Sequence, residues 1–278
     1  MIEITKIDIL NEVNSVAKLD SKYVVKYYHS WIESHYVYIQ MEFCSQNLES
    51  VLKDKPIVFG RQPDKTMNII EYFVSCEMFY DLLQGIQYLH NQNPPVIHRD
   101  IKPKNILIMI NDCNKMFIKL CDFGLATEHE QFKSHTRGVG TAGYKAPETV
   151  LSKYGIKADI YSLGVVGMEI SINWVSHEEY KDATFVERYK KLEQIVYSMI
   201  NPKENKRPTS SQILEEHRHW SLDKSMITNE LHFDKVLNTL NSSNNPFFYQ
   251  YLLFKTSVIE IDEVSVNWSN RRGDRPII

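Results

Sequence analysis

Apolar positions along the 278-residue chain recur with two periods. Ile9, Val13, Val16 and Ala17, with Leu10 and Leu19 nearby, share one stripe at helical spacing and predict a helix over 4–19. Val24–Glu33 is β-branched and aromatic. In Tyr36–Phe43, Val37, Ile39 and Met41 alternate with Tyr38, Gln40 and Glu42, so both stretches read as strands. A short helix over Asn47–Leu52 and an exposed loop over Pro56–Lys65 follow. Ile70, Phe73, Val74, Leu82, Leu83, Ile86 and Leu89 predict a long helix from Met67 to His90, stopped by Asn93-Pro94-Pro95. Two short apolar runs, Val96-Ile97 and Ile106-Leu107-Ile108, then flank a polar centre, and Asn111–Asn114 reads as a turn between strands. Ala158–Ile170 is apolar nearly all round. It predicts a buried helix, with Gly164 and Gly167 permitting close approach and Asp159 able to cap its start. Beyond Trp220 the character changes: Asn229–Leu240 is amphipathic, Asn241–Pro246 breaks it, and Phe247–Phe254 is strongly aromatic. Alternation within Ser257–Ile278 predicts one short strand there.

Composition adds limits. The chain is 43% hydrophobic and 24% charged, which suits a globular core. Its net charge of −3 gives no sign of a nucleic-acid or membrane-surface partner. Cys44, Cys76, Cys113 and Cys121 form no C-x-x-C pair and no disulfide framework, which points to a reducing compartment and a cytoplasmic protein. No run of 18 apolar residues predicts a membrane span, and the stretch after Met1 has no signal-peptide pattern.

The chemistry concentrates between Val96 and Leu107, in V-I-H-R-D-I-K-P-K-N-I-L. Asp100, Lys102 and Asn105 put a carboxylate, an ammonium and an amide within six positions. Phosphoryl transfer uses such a set: a carboxylate to accept the proton of the attacking hydroxyl, a cation beside phosphate, and an oxygen ligand for Mg²⁺. The block resembles the protein-kinase catalytic loop, H-R-D-x-K-x-x-N. Asp122-Phe123-Gly124 matches that family's metal-binding D-F-G, and Ala146-Pro147-Glu148 its A-P-E.

The resemblance implies an α+β, bilobal kinase-like fold: a partial upper lobe and hinge over 1–44, a mainly helical lower lobe over 45–220, and an extension over 221–278. It implies ATP and Mg²⁺ as cofactors, with Asp100 as base, Lys102 on phosphate, and Asn105 with Asp122 on the metal. Glu12 would be the helix glutamate that pairs with a strand lysine. Met41 would line the adenine pocket, and Glu42 to Cys44 would offer hinge backbone to the base. Phe123 and Gly124 would be structural, as would a Glu148–Arg207 pair, and Asp159 would brace the catalytic loop. Thr136 and Thr141 fall in the implied activation segment, Asp122–Glu148, where a phosphothreonine can pair with Arg99.

Lys102 follows the Ser/Thr-directed pattern. Y-V-V-K-Y-Y-H-S-W-I-E, Y-I-Q-M-E-F-C and H-T-R-G-V-G-T-A-G-Y resemble kinases of translation initiation factor 2 alpha, the amino-acid-starvation class. That resemblance implies a protein substrate, initiation factor 2 alpha, and a stress response, and leaves homodimerisation open. Two departures stand out. The interval from Glu169 to Arg207 is short where this family presents a substrate-docking helix, and no G-x-G-x-x-G or strand lysine precedes Glu12. The expectation is an incomplete copy of a longer kinase. Two readings follow: a Ser/Thr kinase, or a pseudokinase remnant serving as a regulatory binding module.

Overall fold

The computed structural model describes residues 17–34, 36–62, 65, 67–110, 116–123, 126–128, 140–151, 154–171, 183–229, 232–243 and 245–256. The helix predicted over 4–19, the turn at Asn111–Asn114 and the strand within Ser257–Ile278 lie wholly or mostly outside them.

Two strands, β1 (Tyr27–Glu33) and β2 (Tyr36–Met41), form an antiparallel hairpin with Trp31 opposite Tyr38 and Ile32 opposite Val37. The predicted first strand began at Val24, but β1 begins at Tyr27. Val24 and Val25 are instead buried against the lower lobe, where Val24 bridges Leu120 and the Val25 N–H donates to the Leu120 carbonyl at 3.0 Å. Burial against another element has overridden local strand propensity there.

A two-residue strand, β3 (Gln46–Asn47), leads into helix α1 (Leu48–Val58), and the Asn47 side chain accepts the Ser50 N–H at 3.0 Å as its N-cap. This helix outruns the expected Asn47–Leu52 and takes Pro56, assigned to a loop, into its last turn. Its last turn is held from outside: the buried Lys55 ammonium donates to Ser75 Oγ at 2.7 Å and to the Ile170 carbonyl at 2.5 Å. Helix α2 (Ile69–His90) is capped by Asn68 and buries Phe73, Val74, Met78, Phe79, Leu82 and Leu83. It is the axis of the lower lobe.

Next come β4 (Val96–Ile97), β5 (Ile106–Ile110), β6 (Met116–Leu120) and β7 (Thr127–Glu128). β3, β5 and β6 form one antiparallel sheet with Ile108 opposite Ile118, while β4 pairs with β7. The catalytic-loop sequence thus spans the gap between two short sheets. Helix α3 (Lys157–Ser171) sits below it. A Cβ on Gly167 would lie 2.8 Å from the Phe79 ring, and one on Gly164 2.8 Å from the Met199 Cβ in helix α4 (Ala183–Met199). Only glycine lets α3 pack this closely against α2 and α4.

Helices α5 (Ser210–Glu215), α6 (His217–Trp220), α7 (Lys224–Thr228), α8 (Phe233–Asn241) and α9 (Phe247–Thr256) follow among the described residues. The packing does not part at Trp220. Phe247, Phe248, Tyr251 and Leu252 of α9 are fully buried in the same core as α2, and Lys255 reaches Asp81 on α2 at 2.8 Å. Among the described residues no helix is long and apolar enough to cross a membrane.

Candidate active site

The site is built on a buried carboxylate. Asp159, at the first turn of α3, accepts the His98 N–H at 2.8 Å and the Arg99 N–H at 2.9 Å, with His90 Nε2 at 3.1 Å. It therefore points its oxygens at the catalytic-loop backbone. Burial alone would raise its carboxyl, yet the His90, His98 and Arg99 neighbours hold it below the ordinary value. These bonds fix Arg99 in the left-handed region, at φ 68°, which a non-glycine residue adopts only when its surroundings impose it.

His98 is fully buried, and burial lowers its pKa, so it is neutral. Its Nε2 lies 3.0 Å from the Cys121 carbonyl and so carries the proton, leaving Nδ1 to face the Asp100 N–H at 3.4 Å. Its ring also packs on the buried Phe123, centroids 4.8 Å apart. Through His98 the catalytic loop and the Asp122 turn are one unit.

Asp100 is the point of convergence. Lys102 Nζ donates to Oδ2 at 2.6 Å, Asn105 Nδ2 to the same oxygen at 2.9 Å, and Thr141 Oγ1 to Oδ1 at 2.7 Å. Lys102 also donates to Thr141 Oγ1 at 2.8 Å. Burial raises the Asp100 carboxyl, but the Lys102, Thr141 and Asn105 hydrogen bonds outweigh it and keep the group ionised below the usual carboxylate range. Thr141, read from sequence as a regulatory site, is thus partnered inside the centre. Gly140 explains how it gets there: at φ 95°, with a Cβ that would sit 2.5 Å from the Arg99 carbonyl, it lets the segment press against the loop. Thr136, Gly124 and Glu12 lie outside the described residues.

Asp122 follows β6 at φ 62° with its side chain exposed. The Cys121 N–H donates to the Asn105 carbonyl at 3.0 Å, so Asn105 and Asp122 stand on adjoining segments. One amide oxygen and one carboxylate suit Mg²⁺, which takes few protein ligands and completes its shell with phosphate and water. Among the described residues no cluster of three His, Cys, Asp or Glu side chains forms a cage for a metal.

Around this centre, Arg207 and Glu148 pair face to face, with Arg207 Nη2 donating to Glu148 Oε2 at 2.7 Å. The buried guanidinium also donates to the Asn201 carbonyl at 2.7 Å and the Lys157 carbonyl at 2.9 Å. In the stretch expected to form the hinge, Met41 is 46% exposed and Phe43 85% exposed. The Glu42 N–H donates to the Lys26 carbonyl at 2.8 Å, and its carboxylate meets Lys119 at 2.9 Å. Burial, with Glu42 nearby, pushes the Cys44 thiol up to about 11, so it is no nucleophile at neutral pH. The sequence reading missed Lys119 and Gly140. The only signal for Lys119 was a lysine inside an apolar run, F-I-K-L.

Residues 2–220 match the model of the protein kinase domain. The chain belongs to the protein kinase family. Within it, the chain is 34% identical over 170 residues to a mitogen-activated protein kinase kinase, mkk2, of Aspergillus fumigatus, covering 60% of this chain and 31% of that protein. It is 27% identical over 240 residues to the interferon-induced, double-stranded RNA-activated protein kinase of Mus musculus, covering 76% of this chain and 43% of that protein. The chain therefore spans less than half of either relative. The crystal structure of the yeast RNA polymerase II CTD kinase complex CTDK-1 superposes with a TM-score of 0.57 at 20% identity, over 77% of this chain and 81% of that one. This likeness shows the kinase fold: a few strands above a mainly helical lower lobe.

Proposed function

We propose that this kinase-family chain carries the phosphoryl-transfer site of a Ser/Thr protein kinase acting on translation initiation factor 2 alpha. The observation that carries the chemistry is the convergence of Lys102, Asn105 and Thr141 on the Asp100 carboxylate, beside Asp122. Asp100 accepts the substrate hydroxyl proton while that oxygen bonds to the γ-phosphorus of ATP and the bond to the ADP oxygen breaks. Held below the ordinary carboxylate pKa, Asp100 is a weak base. It orients the hydroxyl and takes the proton late. Lys102, 2.6 Å from Asp100, would balance the charge that develops on the transferring phosphate, a role worth on the order of 10²–10³-fold in rate. Asn105 and Asp122 would hold Mg²⁺, which shields phosphate charge.

The starvation-class motifs in residues 23–44 and 135–144 support the choice of substrate. Unpaired Cys44, Cys76 and Cys121 suit a cytoplasmic setting. The test is transfer from labelled ATP by the whole chain to initiation factor 2 alpha and to an unrelated basic protein. Preferential labelling of the factor on serine is expected, and equal labelling of both removes the substrate assignment.

A further inference from the structure

Lysine is out of place in the middle of β6. Its neighbours Ile118 and Leu120 are buried, and Lys119 itself is 5% exposed. A buried ammonium is costly without partners. Here it has two: the Glu42 carboxylate at 2.9 Å and the Val24 carbonyl at 3.3 Å. Glu42 Oε2 also accepts the Lys26 N–H at 3.2 Å, and the Glu42 N–H returns to the Lys26 carbonyl. Next to Lys119, the Leu120 N–H donates to the Tyr23 carbonyl at 2.8 Å and its carbonyl accepts the Val25 N–H. Cys121 then bonds Asn105, and Asp122 follows. A chain of contacts thus runs from hinge to metal-binding side chains, with one charge pair at its centre.

We infer that Lys119 is a positioning residue for nucleotide binding, fixing the hinge at Glu42 relative to Asp122 through its ion pair. The inference rests on the ATP-binding reading. A nucleotide must meet hinge backbone at one end and the Asn105–Asp122 pair at the other. If that spacing is held only part of the time, apparent affinity falls by the fraction of molecules that are competent. Lys119 lies three residues before Asp122, and its ammonium is taken up by Glu42 and the Val24 carbonyl, so the chemical step of bound nucleotide does not need it.

The test uses the whole chain and Lys119→Met, Lys119→Arg and Glu42→Gln variants. Lys119→Met is expected to raise Kd for Mg-ADP and KM for ATP about tenfold, with kcat within about twofold. Lys119→Arg keeps the pair and restores affinity. Glu42→Gln alone lowers affinity, and combining it with Lys119→Met adds nothing further, because both remove one interaction. Hydrogen exchange without nucleotide should quicken at residues 23–26 and 42 in Lys119→Met. Unchanged exchange and unchanged Mg-ADP affinity in both Lys119→Met and Glu42→Gln would overturn the inference. If the wild-type chain binds no Mg-ADP, the nucleotide reading falls by itself, and the inference falls with it. Glu42→Gln keeps the test open if Lys119→Met does not fold.

Discussion

Helix α9 and the β1–β2 hairpin are both aromatic, yet they use their rings in opposite ways. Phe247, Phe248 and Tyr251 of α9 are fully buried, with Phe248 edge-on to Phe59 at 5.3 Å. In the hairpin, Trp31 stacks on Tyr38 at 5.2 Å but both stay open to solvent, and Tyr36 is 69% exposed. The difference is one of neighbours. α9 lies against α2, whose length supplies apolar surface, and Lys255 pins it by pairing with Glu77 and Asp81. The hairpin is a two-stranded sheet, marginal in water by itself, anchored through Tyr23–Lys26, Glu42 and Lys119. A helix beyond the matched kinase-domain region is thus core, while two strands within that region are held by polar ties.

The largest expected effect follows directly. Phe248→Ala should destabilise the chain by about 3–5 kcal/mol in urea unfolding, whereas Tyr36→Ala should cost under about 1 kcal/mol. Similar losses from both would erase the contrast. A smaller effect lies inside the lower lobe, at Lys55. Burial lowers its pKa to about 8, with Glu71 opposing and Arg61 adding to the shift. The folded value lies below the ordinary one, so the unfolded chain binds more protons between them. Wild-type stability should therefore rise as pH goes from about 8 to about 10.5. Lys55→Met should lack that rise and be equal to wild type or up to about 4 kcal/mol more stable at pH 7, since Arg61 still faces Glu71 at 3.1 Å. Loss of several kcal/mol would instead make the ammonium bonds to Ser75 and Ile170 indispensable.

The smallest effect is at His217. Burial, with Lys255 and Arg218 nearby, lowers its pKa to about 4. Its folded value lies below 6.5, so stability is full above pH 6.5 and declines as pH falls toward 4. His217→Phe should flatten that decline, by about 1 kcal/mol after allowing for solvent screening of a partly exposed ring. An unaltered decline would assign it to carboxylates elsewhere.

Much of this was legible in the sequence because it is local. Asp100, Lys102 and Asn105 occupy six positions, so their chemistry could be read without a fold. α2 is apolar enough that its span, Ile69–His90, differs by two residues from the one periodicity predicts. The Glu148–Arg207 contact and the bracing of the loop by Asp159 came only through family resemblance, since nothing local brings residues 59 positions apart together. What stayed hidden depends on distant partners. Lys55 finds Ser75 and Ile170, which hold α1 through Pro56. Lys119 finds Glu42, and Thr141 reaches Asp100 because Gly140 lets the backbone approach. Each is a tertiary contact that overrides local propensity.

The most direct measurement of the central claim is γ-phosphoryl transfer from Mg-ATP to initiation factor 2 alpha by the whole chain, wild type beside Asp100→Asn at equal concentration. Transfer by the wild type, with a loss on the order of 10³-fold or more in the variant at an unchanged melting temperature, is the expected result. An Asp100→Asn chain that transfers phosphate at the wild-type rate, or a folded wild-type chain that transfers none, would contradict it.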